Sequence, residues 1–195
     1  RYRIGVATYS VGVAYNNRKT SLQFIQQEMN NITALSNETC QLGIQSRNMV
    51  LYIAKKDSPQ PIRLMSSVGK QLPLYCTGLG RALLAYKSEE EIRSLFPEVL
   101  TAYTPHTIAT INDLLKELEL TRQRGYAVEH EETNLMVNCI AVSLDYNNAP
   151  IAALSISIPT FRISESKEKE AVQILWEAKQ HIETHFKMYG VDFGN

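Results

Sequence analysis

Ser155 and Ser157 stand two residues apart in the apolar run Ala152-Ala153-Leu154-Ser155-Ile156-Ser157-Ile158-Pro159. On a strand this spacing turns both hydroxyls to one face and Leu154, Ile156 and Ile158 to the other. A hydroxyl buried without a partner costs on the order of 1–3 kcal/mol, so a ligand, water or neighbouring backbone must satisfy each. Spacing alone does not choose among these. Upstream, Thr77-Gly78-Leu79-Gly80 has the form of a capped helix start whose outward N–H groups would suit a carboxylate. Loop glycines that only allow close packing are the competing reading.

Cys139, His130 and Glu129 supply the residue types of a nucleophile, a base and an orienting group. No activating motif surrounds the thiol, however, and Ile140-Ala141-Val142 after it reads as a strand interior, so catalysis is not expected. By itself the tract Glu129-His130-Glu131-Glu132 reads as a solvated acidic loop. His181 and His185 lie one turn apart on the last helix, but with no third ligand in view an exposed pair is expected, and no metal or cofactor.

The elements that must position these groups follow from periodicity. Leu22, Ile25, Met29, Ile32 and Leu35 mark one helical stripe from Ser21, and Asn37 suits its end. Cys40 to Ile44 and Met49 to Ile53 read as two strands around the turn Ser46-Arg47-Asn48. After the break at Pro59 and Pro61, a third strand is expected at Ile62 to Val68. Thr77 to Tyr86 has helical spacing. Ser88 with Glu91 is a capping box, and Thr110 with Asp113 opens a helix that Gly125 stops.

Three more strands are expected at Tyr126 to Glu129, Cys139 to Tyr146 and Ile151 to Pro159, with Asn147-Asn148 as the turn between the last two. A closing helix runs from about Ser164 to Tyr189, with Ala171, Leu175, Ala178, Ile182 and Phe186 on one side. The expected class is therefore α+β, a largely antiparallel sheet of about six strands flanked by helices.

Bulk properties restrict the function classes. The 195 residues fit one domain with an attached arm, and 44% apolar with 21% charged residues is ordinary for a soluble globular protein. Twenty basic against twenty acidic residues leave no net charge to hold nucleic acid. No run is long and apolar enough for a spanning helix, so no membrane partner is expected. Three cysteines at wide spacings form neither a disulfide framework nor a zinc pattern, which suits the cytoplasm. The start at Arg1, without Met or a leader, reads as a fragment of something longer.

Two stretches go beyond a generic α+β domain: Leu72-Pro73-Leu74-Tyr75-Cys76-Thr77-Gly78-Leu79-Gly80-Arg81-Ala82-Leu83-Leu84-Ala85, and Arg124-Gly125-Tyr126-Ala127-Val128-Glu129 through Cys139-Ile140-Ala141-Val142. Both resemble the signature segments of the effector-binding domain of IclR-family transcription regulators. Glu38-Thr39 and the run around Ser155 extend the similarity over about residues 18–189. Tyr2-Arg3-Ile4-Gly5 resembles the close of that family's winged-helix wing, so residues 1–17 are expected to hold the wing's end and a linker helix, and residues 18–195 the effector-binding domain.

The resemblance implies a GAF-like sensor, dimers or tetramers, and DNA contact only through an N-terminal winged-helix domain. It further implies a small organic acid effector, a sugar acid or keto acid being the family-level guess, and a role as repressor or activator. Carried over by position, the implied ligand-binding residues are Gly78, Leu79, Glu129, Cys139, Ser155 and Ser157. Glu129 replaces a commoner Asp, Met136 and Asn138 stand where Gly and Arg are usual, and Tyr75-Cys76 replace a frequent His-Ala. Met136 in place of glycine would narrow the pocket if its side chain points inward. A cysteine-dependent GAF-like enzyme and a ligand-free oligomerisation module are the alternatives.

Overall fold

The computed structural model of the chain describes residues 7–8, 21–63 and 66–193. The strand at residues 2–5 and the connecting helix within residues 6–17 lie outside them, apart from Ala7 and Thr8. Six strands form one sheet in the order β3-β2-β1-β6-β5-β4, and every neighbouring pair is antiparallel. They are β1 Thr39–Ser46, β2 Met49–Lys56, β3 Gln71–Pro73, β4 Ala127–His130, β5 Val137–Tyr146 and β6 Ala149–Pro159. The β5–β6 hairpin turns through Asn147 and Asn148, both at positive φ (51° and 61°), which short polar side chains tolerate.

One face of the sheet carries α1 (Ser21–Ser36) and α5 (Glu165–Tyr189). Leu22, Ile25, Met29 and Ile32 meet Leu175, Ala178, Ile182 and Phe186 over Ile140, Val142, Leu154 and Ile156 in one core. The α1 stripe closes on Ser36 and not on the expected Leu35. Leu35 is 60% exposed because the alternating three-four step continues to Ser36, which is buried with its Oγ donating to Ile32 O at 2.7 Å.

The opposite face carries α2 (Gly78–Leu84), α3 (Glu89–Leu95) and α4 (Ile111–Arg124), whose Leu79, Leu83, Ile92, Leu114 and Leu118 pack with Val50, Ala141 and Ala153. Caps at Thr77, Ser88, Thr110 and Ser164 fix the starts of α2, α3, α4 and α5. Gly80 is required by packing rather than by φ: a Cβ there would lie 2.1 Å from Leu74 O and 2.4 Å from its Cα. Gly80→Ala is expected to destabilise the domain by roughly 1–3 kcal/mol, read as a lower urea midpoint.

The third strand is a correction. Residues 62 and 68 are exposed, and the ladder on β2 begins only at Gln71, pairing Leu51↔Gln71, Val50↔Leu72 and Met49↔Pro73. The reason is backbone geometry: Gly69 at φ 85° turns the chain, with Lys70 N donating to Ser67 O. Gly69 N donates to Tyr52 O at 2.8 Å and Tyr52 N to Lys70 O at 3.0 Å, so this stretch hugs β2 as a turn before any strand starts.

Candidate functional site

The period-two pattern sends Ser155 and Ser157 to the α2 side, as the sequence predicts, while Leu154, Ile156 and Ile158 fill the α1–α5 core. Cross-strand register then assembles a polar patch. Glu129 on β4 pairs with Cys139 on β5, which pairs with Ser157 on β6, while Ser155 pairs with Gln41 on β1. Over this patch sits the first turn of α2. Gly78 eases that approach, since a Cβ there would lie in tight contact with the sheet, 3.3 Å from Cys139 Cβ and 3.4 Å from Ala141 Cβ.

Between helix start and sheet lies a narrow cavity lined by Gln41, Tyr52, Thr77, Gly78, Leu79, Glu129, Cys139 and Ser155, with Ser66, Lys70 and Leu72 along one wall. Its interior space is about 20 Å³, room for about one water molecule. Gly80 N–H is taken by Thr77 Oγ1 at 3.1 Å, so it does not belong with the outward amides. The N–H groups of Gly78 and Leu79 have no partner among the described residues.

The two serines differ. Ser157 Oγ donates to Gln41 Oε1 at 3.0 Å and lies 3.2 Å from Cys139 Sγ. Ser155 is 1% exposed and its Oγ has no protein partner among the described residues. Gln41 escapes sequence reading because no charge or motif marks it, although its place two residues from Thr39 and Gly43 on β1 puts it on the same face.

Glu129 is fully buried, which overturns the solvated-loop reading. Burial pushes its carboxyl up to about 7, against the pull of backbone N–H donors from Glu132 and Thr133 and the Cys139 thiol. Glu132 is buried as well, paired with Arg81. Cys139 keeps some exposed surface on the cavity, yet burial first and the Glu129 carboxylate second hold its thiol well above the ordinary range. His130 faces away, its Nδ1 2.9 Å from Asn138 Oδ1. The three groups of a catalytic set are thus not assembled, and the thiol is a neutral wall group. On α5, His181 is 3.5 Å from Glu28 Oε2 and His185 stacks on Phe24 at 4.1 Å. No cluster of three metal-ligating side chains occurs among the described residues.

Comparison with known proteins places this arrangement. The family model described as "Bacterial transcriptional regulator IclR C-terminal" matches residues 14–184. The chain belongs to the IclR family. It is 34% identical to the HTH-type transcriptional regulator KdgR of Dickeya chrysanthemi over 184 residues, 93% of this chain and 60% of the relative. It is 32% identical to the HTH-type transcriptional repressor AllR of Escherichia coli K12 over 185 residues, 94% of this chain and 68% of the relative. The chain thus spans about two thirds of the length of these two regulators. The crystal structure of the C-terminal domain of the E. coli regulator KdgR superposes with a TM-score of 0.76 at 32% identity, covering 84% of this chain and 96% of that one. These relatives are transcriptional regulators, not enzymes.

The departures from the IclR pattern now have places. Met136 does not narrow the cavity: it is 57% exposed at φ 67°, a conformation glycine adopts without strain. Asn138 is buried and bridges His130 to Thr160 Oγ1 at 2.9 Å. Tyr75 donates its hydroxyl to Thr101 O at 2.7 Å, and Cys76 is fully buried, so neither lines the cavity.

Proposed function

We propose that the cavity binds a small organic acid, with sugar acids and keto acids as the leading classes, and that this domain is the effector sensor of a cytoplasmic DNA-binding regulator. The acid's carboxylate lies against the N–H groups of Gly78 and Leu79, and its other polar groups meet Glu129 and Ser155 beside the Cys139 thiol, while Ser157, outside the lining, bonds Gln41 and Cys139 from behind. The observation that carries this reading is Ser155. A buried hydroxyl that lines a cavity and has no protein partner among the described residues must be met by a molecule in that cavity, which a ligand oxygen does.

Because the empty cavity holds only about one water, entry of an acid displaces part of its wall, and that displacement is how occupancy biases the domain's shape. The domain self-associates as a dimer or tetramer and reaches DNA only through an N-terminal winged-helix domain, so a ligand preferring one arrangement shifts the spacing of paired DNA-binding units. The helix-turn-helix designation of the two curated relatives supports this division of labour. No helix among the described residues is long and apolar enough to cross a membrane.

A thermal-shift screen of small carboxylic acids tests the reading: an acid at a hundredfold its Kd stabilises by about 2.7 kcal/mol. Ser155→Ala sharpens it. Because the hydroxyl has no protein partner, its removal is expected to leave the ligand-free domain within about 1 kcal/mol of the parent, while the same acid binds at least fivefold more weakly. A variant that binds the acid with unchanged affinity removes Ser155 from the site. If no acid shifts the transition, the alternative of a ligand-free oligomerisation module is favoured.

A further inference from the structure

The wall of the cavity formed by residues 66–70 is anchored in three directions. Gln41 Nε2 donates to Ser66 Oγ at 2.6 Å, Lys55 Nζ donates to Ser66 O at 2.9 Å, and Gly69 and Lys70 exchange backbone hydrogen bonds with Tyr52. Lys70 is therefore carried on a fixed rim, and it lines the cavity. Its ammonium has no hydrogen-bond or ion-pair partner among the described residues, whereas the neighbouring cations Lys55 and Arg63 are both paired with Asp57. Across the cavity the one carboxyl in the lining, Glu129, is held largely protonated below about pH 7, so it does not neutralise Lys70 there.

Position adds a length. Ser155 stands on β6, Gln41 on β1 and Tyr52 on β2, three consecutive neighbours, and Lys70 is bonded to Tyr52 from the side away from β1, one strand position further out. Three strand spacings are roughly 14 Å, a span that an extended lysine side chain and a ligand chain of about six atoms cover together. A ligand that satisfies Ser155 and continues along the patch past Gln41 comes within reach of the exposed Lys70 at the cavity rim.

We propose that Lys70 is an effector-contacting residue and that the effector is a linear diacid, with one end beside Cys139 and Ser155 and its second acidic group under Lys70. This deepens, and rests on, the organic-acid reading of the cavity. An ammonium excluded from water by the bound ligand discriminates a carboxylate from a neutral terminus, because it is the carboxylate that forms a charge-assisted hydrogen bond there.

Calorimetric titration of this chain with matched pairs differing only at the far end tests the assignment: succinate and butyrate, adipate and hexanoate, galactarate and galactonate. At least one diacid is expected to bind tenfold or more tightly than its monoacid. Lys70→Met abolishes that preference while leaving the monoacid within twofold, and Lys70→Arg retains most of it. Equal binding within every pair, or a preference that survives Lys70→Met, overturns the Lys70 assignment and leaves the organic-acid reading standing. Binding by no member of the panel overturns both.

Discussion

Arg81→Met is expected to destabilise the domain by about 3–5 kcal/mol, the cost of leaving a buried carboxylate without its partner. Arg81 is 2% exposed on α2, and each of its three guanidinium nitrogens donates one hydrogen bond. Nε donates to Tyr75 O at 3.0 Å, Nη1 to Val128 O at 2.8 Å and Nη2 to the Glu132 carboxylate, which also accepts from Ile108 N at 3.2 Å. Methionine fills most of the volume but removes the donors to Tyr75 O and Val128 O and the only cation beside Glu132 among the described residues. Urea denaturation should show a lower midpoint at unchanged slope. Adding Glu132→Gln should recover part of the loss, since the isolated charge is then gone, and strictly additive effects of the two substitutions would show that the pair is not coupled.

Arg81 has a functional consequence as well. It ties α2, whose first turn lies over the cavity, to Val128 and Glu132, the residues flanking Glu129 on the other wall. The same substitution is therefore expected to weaken acid binding along with stability.

The second large effect is a pH dependence. Glu129 has an ordinary value of 4.5 and is pushed up to about 7 by burial. Between those values the folded domain holds a proton that the unfolded chain has lost, so stability falls as pH rises. The contribution is fully present below pH 4.5 and lost as pH rises through 7; the displacement corresponds to about 3 kcal/mol. Glu129→Gln keeps an oxygen for the N–H groups of Glu132 and Thr133 and removes the titration. The variant should match the parent near pH 4.5 and exceed it by up to that amount at pH 8. A difference constant from pH 4.5 to 8 would show that Glu129 titrates normally. By the same logic an acid bound beside Glu129 loses affinity above pH 7, where two negative charges must share the cavity.

Most of the fold was legible because it rests on local rules. The capping residues Thr77, Ser88, Thr110 and Ser164, the Asn147-Asn148 turn and the apolar face of α5 all lie where short-range geometry puts them. The third strand was misread because Ile62 and Val68 have strand-forming side chains, whereas the ladder depends on where the Gly69 turn releases the chain. Side-chain type alone carries no information on that point.

The candidate site was legible in part for the same reason. Period two placed Ser155 and Ser157 on one face, but which hydroxyl is left unpaired depends on Gln41, brought in from a strand more than a hundred residues earlier. Arg81 lay in a recognised motif without a visible role, since its partner Glu132 is 51 residues away in a tract that reads as solvated. Lys70 lies just past the expected third strand, after the Gly69 turn that spacing does not reveal. In each case the missing information was a long-range contact, which composition and spacing do not encode.

The most direct test is a crystal structure of the domain with the tightest-binding acid from the screen. The account predicts the acid enclosed between the start of α2 and the sheet, with one of its oxygens within about 3.2 Å of Ser155 Oγ. An acid bound elsewhere, such as the groove between α1 and α5, with Ser155 still unpaired and the cavity unchanged, would contradict it.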